Sequence, residues 1–165
     1  MTSATAASAL WLLPFVLPVA IWVAWSDMKF MKIPNKAVLT LAGVFAVVGL
    51  VALPLADYGW RWVHLAVMLA LGFAATMVGL IGAGDAKFAA AMAPFVAFAD
   101  VQMFLALFAA SVLGAFAAHR LMRAIPAIRA ATPDWASWTH RKFPMGLALS
   151  GSLVLYLGIV ARMGA

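Results

Sequence analysis

Two aspartates lie where apolar segments of the chain meet polar ones. Asp85 ends the motif Gly82-Ala83-Gly84-Asp85, and Asp27 follows an earlier apolar segment. A carboxylate at the edge of hydrocarbon is costly to place, so each residue is a candidate functional group. Two neighbouring carboxylates can hydrolyse a peptide bond, because one activates water as a general base while the other donates a proton. The pair therefore predicts aspartic protease chemistry in or at a membrane.

The composition requires most of the chain to lie in lipid. Its 165 residues are 67% hydrophobic and 10% charged, whereas soluble domains average about 25% charged residues. The apolar segments are six: Ala7–Trp25, Ala37–Leu55, Trp62–Ile81, Ala86–Ala99, Val101–Ala118 and Met145–Ala161. Most of them approach the ~20 residues that a spanning helix needs, and the fourth is short. We predict an all-α polytopic membrane protein with about six transmembrane helices, formed as a single domain over residues 1–165.

The basic residues are divided unequally between the two sides of the predicted bundle. Nine of the eleven Lys and Arg residues fall in the loops after segments one, three and five, whereas Arg61 and Arg162 fall on the other side. Loops rich in Lys and Arg face the cytoplasm. The asymmetry predicts that both termini lie outside, and that Asp27 and Asp85 lie at the same depth on the cytoplasmic side.

The composition also argues against several function classes. A net charge of +6 does not indicate nucleic-acid binding here, because the basic residues lie between apolar segments and form no stripe. The absence of cysteine removes disulfides, thiol nucleophiles and thiolate metal ligands. The histidines lack the i, i+4 spacing of a helical zinc motif. We expect no metal site, and we expect the first apolar segment to be retained because no basic n-region precedes it.

The residues around the two acids have alternative interpretations. Asp85 precedes an apolar segment and could serve only as a helix cap. Lys87 could be an interfacial lysine, hold a neighbouring carboxylate ionised or meet an acidic substrate group. Asp27 is harder to explain in this way, because a helix C-terminus disfavours negative charge. Pro34 breaks the helical path after Asp27 and Asn35 can cap the next helix, which gives a turn that orients Asp27. We expect the other three aspartates to be solvated: Asp57, Asp100 and Asp134.

Three motifs, in this order, resemble those of the prepilin peptidases, which are polytopic aspartic proteases of the bacterial inner membrane. Asp27 followed by Ile33-Pro34-Asn35 is similar to the family's Asp-x5-Ile-Pro-Asn. Gly82-Ala83-Gly84-Asp85-Ala86-Lys87 is similar to its Gly-x-Gly-Asp-x-Lys. Pro144-Met145-Gly146 resembles the start of a Pro-Tyr-Gly-x-Ala segment that opens the last helix, with Met145 in place of the aromatic residue. The layout of six segments extends the resemblance over the whole chain.

The resemblance implies a function and a site. Members of this family cleave the basic leader from pilin precursors at the cytoplasmic face, just before the apolar helix of the pilin. The implied catalytic pair is Asp27 and Asp85, with no metal or cofactor. The implied supporting residues are Gly82, Gly84, Lys87, Ile33, Pro34, Asn35, Pro144 and Gly146. The short chain without cysteine is similar to the compact, peptidase-only members of Flp-type, tight-adherence pilus systems, which have no methyltransferase region.

The sequence motifs leave two alternative functions open. Presenilin-like intramembrane proteases also use Gly-x-Gly-Asp, but they pair it with Tyr-Asp, whereas Ser26 precedes Asp27 here. A non-enzymatic membrane scaffold or transport subunit would treat both acids as surface groups and would tolerate their replacement by asparagine. Besides pilin or pilin-like precursors, the basic cytoplasmic loops predict contact with anionic lipid.

Overall fold

The computed structural model describes residues 4–163, of which 84% are helical and none lies in a strand. Seven α-helices follow one another in this part of the chain: α1 (Ala6–Phe30), α2 (Asn35–Ala52), α3 (Leu55–Met77), α4 (Ala83–Met92), α5 (Val101–Ala124), α6 (Pro126–Ala131) and α7 (Met145–Met163). Five of these helices, α1, α2, α3, α5 and α7, are long and apolar enough to cross a membrane. The predicted all-α, multi-pass membrane fold is confirmed.

The centre of the bundle is the packing of α1 against α7. The buried apolar positions of α1 recur three or four residues apart: Leu12, Val16, Val19 and Val23. They belong to the same core as Leu153 and Leu157 of α7. Around this pair, α2 packs on α1, α5 packs on α7, and α4 contacts α2, α3 and α7. Large apolar side chains such as Leu39 and Leu113 are exposed on the outer faces, as expected for helices that meet lipid.

The fourth apolar segment does not form a long helix. The sequence predicted it over Ala86–Ala99, but α4 begins earlier, at Ala83, and ends after 10 residues at Met92. Pro94 lies in a 3-10 turn directly after α4, because proline interrupts the hydrogen-bond ladder of an α-helix. The six predicted segments therefore become five candidate spans and one short helix.

Polar side chains from α3 and α7 stabilise the segment that follows α4. The buried Arg61 guanidinium donates to the carbonyl oxygens of Pro94 and Phe95 at 3.2 and 3.1 Å. The Tyr156 hydroxyl donates to Asp100 Oδ2 at 2.8 Å. Such partners are needed because a backbone or side-chain polar group left unpaired in hydrocarbon is costly. The short helix is therefore held at its far end by side chains that belong to other helices.

The expectation that three aspartates are solvated is wrong for Asp100. Its carboxylate accepts hydrogen bonds from the Ala4 N–H and the Tyr156 hydroxyl, both at 2.8 Å, and so ties the beginning of α1 to α7. Asp134 is exposed and forms an ion pair with Lys29, with 2.7 Å between Oδ2 and Nζ. Asp57 lies in the first turn of α3, where the helix dipole favours negative charge. Asp100 lies at the opposite end of α1 from Asp27.

Candidate active site

Asp27 lies in the last turn of α1, and 5% of its surface is exposed. The helix ends because Met31 adopts a left-handed conformation, with φ of 51°, and its N–H donates to the Asp27 carbonyl oxygen at 2.9 Å. The Ser26 hydroxyl donates to the Lys32 carbonyl oxygen at 2.9 Å and closes the turn. Pro34 then stands immediately before α2. This turn holds the backbone that carries the Asp27 carboxylate.

Asp85 is the third residue of α4. The preceding helix, α3, is followed by Gly79 with φ of +76°, a conformation that glycine adopts without a Cβ clash. Gly82 is the N-cap residue of α4, so Asp85 is not the cap that its position in the sequence suggested. Instead, the Asp85 carboxylate lies beside the Gly82 backbone, whose N–H lowers the pKa of Asp85, an arrangement similar to the returning half of a capping box. The first turn of α4 thereby orients this carboxylate.

The beginning of α7 supplies a hydrogen-bond donor to Asp27. The Gly146 N–H donates to Asp27 Oδ2 at 2.6 Å, and Gly146 is the second residue of α7. The first N–H groups of a helix have no partner within the helix, so this one is available to a carboxylate. Pro144, which is buried, precedes the helix and restricts the backbone at its start. The Pro144-Met145-Gly146 motif therefore contacts the motif that contains Asp27, and the contact is made at the Asp27 carboxylate.

Two contacts join the Gly-x-Gly-Asp-x-Lys motif to the Ile-Pro-Asn turn. Lys87 Nζ donates to Asn35 Oδ1 at 3.3 Å. A Cβ added at Gly84 would lie 3.5 Å from the Ile33 Cβ, which is an ordinary contact, so the close approach there does not require glycine. Asn35 does not cap α2, because the N-cap residue is Pro34 and no side chain bonds to that end. The motif residues predicted from the sequence thus converge at one end of the bundle.

The two carboxylates share one electrostatic environment. Asp85 is close enough to Asp27 for their charges to repel, which favours a state with one proton between them. Asp85 lies outside the five spanning helices. Burial raises its pKa, and the Gly82 N–H and the Lys142 ammonium offset this only in part. Two acids that repel each other in a half-buried site can present one general acid and one general base at the same pH.

Two residues near the site were not predicted from the sequence. The sequence indicates for Lys142 only a contribution to the orientation in the membrane, but its ammonium group lies close enough to Asp85 to stabilise the carboxylate. Gly72 of α3 faces Ala86, because a Cβ added at residue 72 would lie 3.0 Å from the Ala86 Cβ. The only sequence signal for Gly72 is its small size, which many membrane helices share. Within residues 4–163, no group of three or more His, Cys, Asp or Glu side chains could hold a metal ion.

A family match covers most of these residues. A model described as the type IV leader peptidase family matches residues 14–119. The matched range contains Asp27 and Asp85 with the motif residues around them, and it ends before Gly146. No curated protein and no solved structure matched the chain.

Proposed function

The chain belongs to the type IV leader peptidase family, and we propose that it is an aspartic endopeptidase whose catalytic pair is Asp27 and Asp85. The observation that carries the proposal is the convergence of the two motifs from α1 and α4: Lys87 bonds to Asn35, and the Asp85 charge is near enough to act on Asp27. Each of the two carboxylates is also oriented by a backbone N–H, from Gly146 and from Gly82. Two oriented carboxylates that resist simultaneous ionisation have the properties that peptide hydrolysis needs.

In this mechanism the ionised carboxylate takes a proton from a water molecule, and the resulting hydroxide adds to the carbonyl carbon of the scissile peptide. The protonated carboxyl donates its proton to the carbonyl oxygen. Collapse of the tetrahedral intermediate then breaks the C–N bond. The leaving nitrogen takes the proton that the first carboxyl had gained, and one hydroxyl of the intermediate gives its proton to the second carboxylate, which restores the starting pair. The pair titrates as a unit, so neither Asp27 nor Asp85 is assigned a fixed role.

The proposed substrate is a pilin or pilin-like precursor, cleaved where its basic leader meets its apolar helix. The surroundings of the site suit such a junction, because Asp27 is buried between helices whereas Gly82 and Ala83, next to Asp85, are exposed. The apolar helix of the substrate can then lie along the lipid-facing side of the bundle while its leader stays in water. We place this site at the cytoplasmic face of the bacterial inner membrane, since the Lys and Arg residues concentrate at that end.

The proposed subtype is the compact, peptidase-only form that serves Flp-type, tight-adherence pili. The larger, methylating members carry a cysteine-bearing cytoplasmic region, and this chain contains no cysteine. The long connection on the proposed cytoplasmic side is the one that joins α5 to α7. We therefore propose that residues 1–165 form one peptidase domain.

Anionic lipid at the cytoplasmic face is the second proposed partner. Five basic residues lie in the last two turns of α5 or between α5 and α7: Arg120, Arg123, Arg129, Arg141 and Lys142. In the same stretch Trp135 stacks on Trp138 with ring centroids 5.7 Å apart, and tryptophan favours the membrane interface. Each Lys or Arg near an anionic surface contributes about 1 kcal/mol of binding. This basic, aromatic stretch is therefore suited to anionic headgroups.

Co-expression with a candidate prepilin tests the proposed function. We expect the pilin to shift to a smaller mass only in the presence of the peptidase, and N-terminal sequencing of the product should find the cut at the end of the basic leader. A cut within the buried apolar helix would instead support presenilin-like intramembrane proteolysis. Unprocessed precursor in membranes that contain the inserted protein would favour a scaffold or transport role.

The proposed orientation has its own test, because a chain without cysteine accepts single reporter thiols. Ala56 and Ala131 are both exposed and lie at opposite ends of the bundle: Ala56 is near the start of α3, and Ala131 is near Asp134, which pairs with Lys29. We expect a membrane-impermeant maleimide to label Ala56→Cys in spheroplasts and Ala131→Cys only in inverted vesicles. Labelling with the reverse sidedness would contradict a cytoplasmic site.

A further inference from the structure

The contact between α7 and Asp27 is short and direct. The Gly146 N–H donates to Asp27 Oδ2 at 2.6 Å, and both groups are buried. This N–H lies in the first turn of α7, where no carbonyl of the helix itself is available to it. Hydrogen bonds to an ionised group are about twice as strong as neutral ones. The bond therefore constrains the carboxylate strongly without weakening the helix that supplies it.

Residue 146 also has no room for a side chain. A Cβ added there would lie 2.9 Å from the Asp27 Cβ, 3.1 Å from Cγ and 3.0 Å from Oδ2. The Asp27 Cβ is fixed to the backbone of α1, so the strain would fall on the carboxylate and on the packing of α1 against α7. Gly151, in the same helix, is different, because a Cβ added there would meet nothing within 4 Å. The requirement for glycine is specific to the position that faces Asp27.

We propose that Gly146 is a positioning residue for Asp27: its N–H holds Oδ2, its missing Cβ makes space for the carboxylate, and Oδ1 is left for water and Asp85. This inference rests on the proposed function of Asp27 as a catalytic carboxylate. It extends the working site beyond residues 14–119, which are those matched by the family. Gly146 itself touches no reacting atom, so its effect is exerted entirely through the orientation of Asp27.

The test is a comparison of Gly146→Ala with Gly151→Ala, the same substitution five residues further along α7. With a peptide that spans a leader junction, we expect Gly146→Ala to lower kcat by about 100-fold, because a displacement of a catalytic group by about 1 Å has effects of this size. KM should stay within about twofold, since substrate binding does not involve Gly146. Gly151→Ala should keep the kcat of the unsubstituted protein. Equal kcat values for the two variants would overturn the proposal.

A second variant separates the hydrogen bond from the steric clash. Replacing Gly146 by glycolate during cell-free synthesis into nanodiscs removes the N–H and adds no Cβ. The resulting ester carbonyl of Met145 still accepts a hydrogen bond within α7, more weakly than an amide does. We expect kcat to fall about tenfold or more, the loss typical of a hydrogen bond to a charged group, while the thermal midpoint of unfolding falls only slightly. Full activity of this variant would overturn the positioning role, whatever the stability of Gly146→Ala.

The result for Asp27 separates this inference from the function on which it rests. If Asp27→Asn still cleaves the peptide, the proposed catalytic pair is wrong and the role of Gly146 falls with it. If Asp27→Asn is inactive while Gly146→Ala and the glycolate variant remain fully active, the catalytic pair stands and only the inference about Gly146 is wrong.

Discussion

Replacing either Asp27 or Asp85 by asparagine should abolish cleavage of a prepilin leader. Asparagine keeps the size of the side chain but can neither take a proton from water nor donate one as an acid, and such a proton transfer contributes about 10²- to 10⁴-fold to rate. The two carboxylates act on the same water and the same peptide, so the double variant should be no slower than the slower single variant. The measurement is the initial rate of leader removal, with purified protein and a peptide that spans the junction.

Asp134→Asn is the matched control for these two variants. Asp134 is exposed and pairs with Lys29 on the surface, and an exposed ion pair contributes little to stability. We expect its cleavage rate to stay within about twofold of the unsubstituted protein. All three variants should insert into membranes to the same level. Normal cleavage by Asp27→Asn and Asp85→Asn would rule out the aspartic mechanism.

Gly72→Val should weaken both the fold and the activity, because it separates α3 from α4 next to Asp85. A Cβ added at Gly72 would lie 3.0 Å from the Ala86 Cβ and 3.4 Å from the Ala86 Cα and carbonyl oxygen. The backbone of α4 would have to move, and it carries Asp85 one residue away. We expect a loss of about 1–3 kcal/mol in the free energy of unfolding, as for other overpacked sites. The cleavage rate should fall by about tenfold or more, since misplacement by about 1 Å can cost 100-fold.

Gly59→Val is the control for this prediction, since it lies in the same helix and an added Cβ there meets nothing within 4 Å. Both substitutions remove a glycine from α3 and add the same side chain, so their effects on helix propensity should be similar. Thermal inactivation of the cleavage activity in nanodiscs measures the stabilities, and initial rates measure the activities. Equal stability and activity of the two variants would show that the contact between Gly72 and Ala86 does not hold α4 in place.

Sequence reasoning was most successful where one short stretch carries the information. The apolar segments predicted the multi-pass helical fold, because a chain in lipid must satisfy its backbone within long helices. Asp27 and Asp85 were recognised as candidate functional residues because Asp27 follows one apolar segment and Asp85 precedes another. Each of them also lies near residues that turn the chain. Their shared side of the membrane was predicted from the distribution of Lys and Arg alone, and it remains a prediction.

The errors arose where distant residues determine the local structure. The composition is apolar up to Ala99, yet α4 ends at Met92, and the segment after it is held by Arg61 from α3. Asp100 was expected to be solvated because nothing near it in the sequence provides a partner. Tyr156, 56 positions away, supplies that partner. Neither outcome can be derived from spacing within one segment.

The sequence by itself determined the membrane-embedded helical fold, the two acids and the residues that turn the chain beside them. These properties depend on hydrophobicity and on backbone preferences, which act over a few neighbouring residues. Only the tertiary structure decided which groups surround each carboxylate, because hydrogen bonds and repulsion between charges depend on atomic distances between helices. The Gly146 N–H reaches Asp27 across 119 positions of sequence, and that contact exists because α1 and α7 pack side by side.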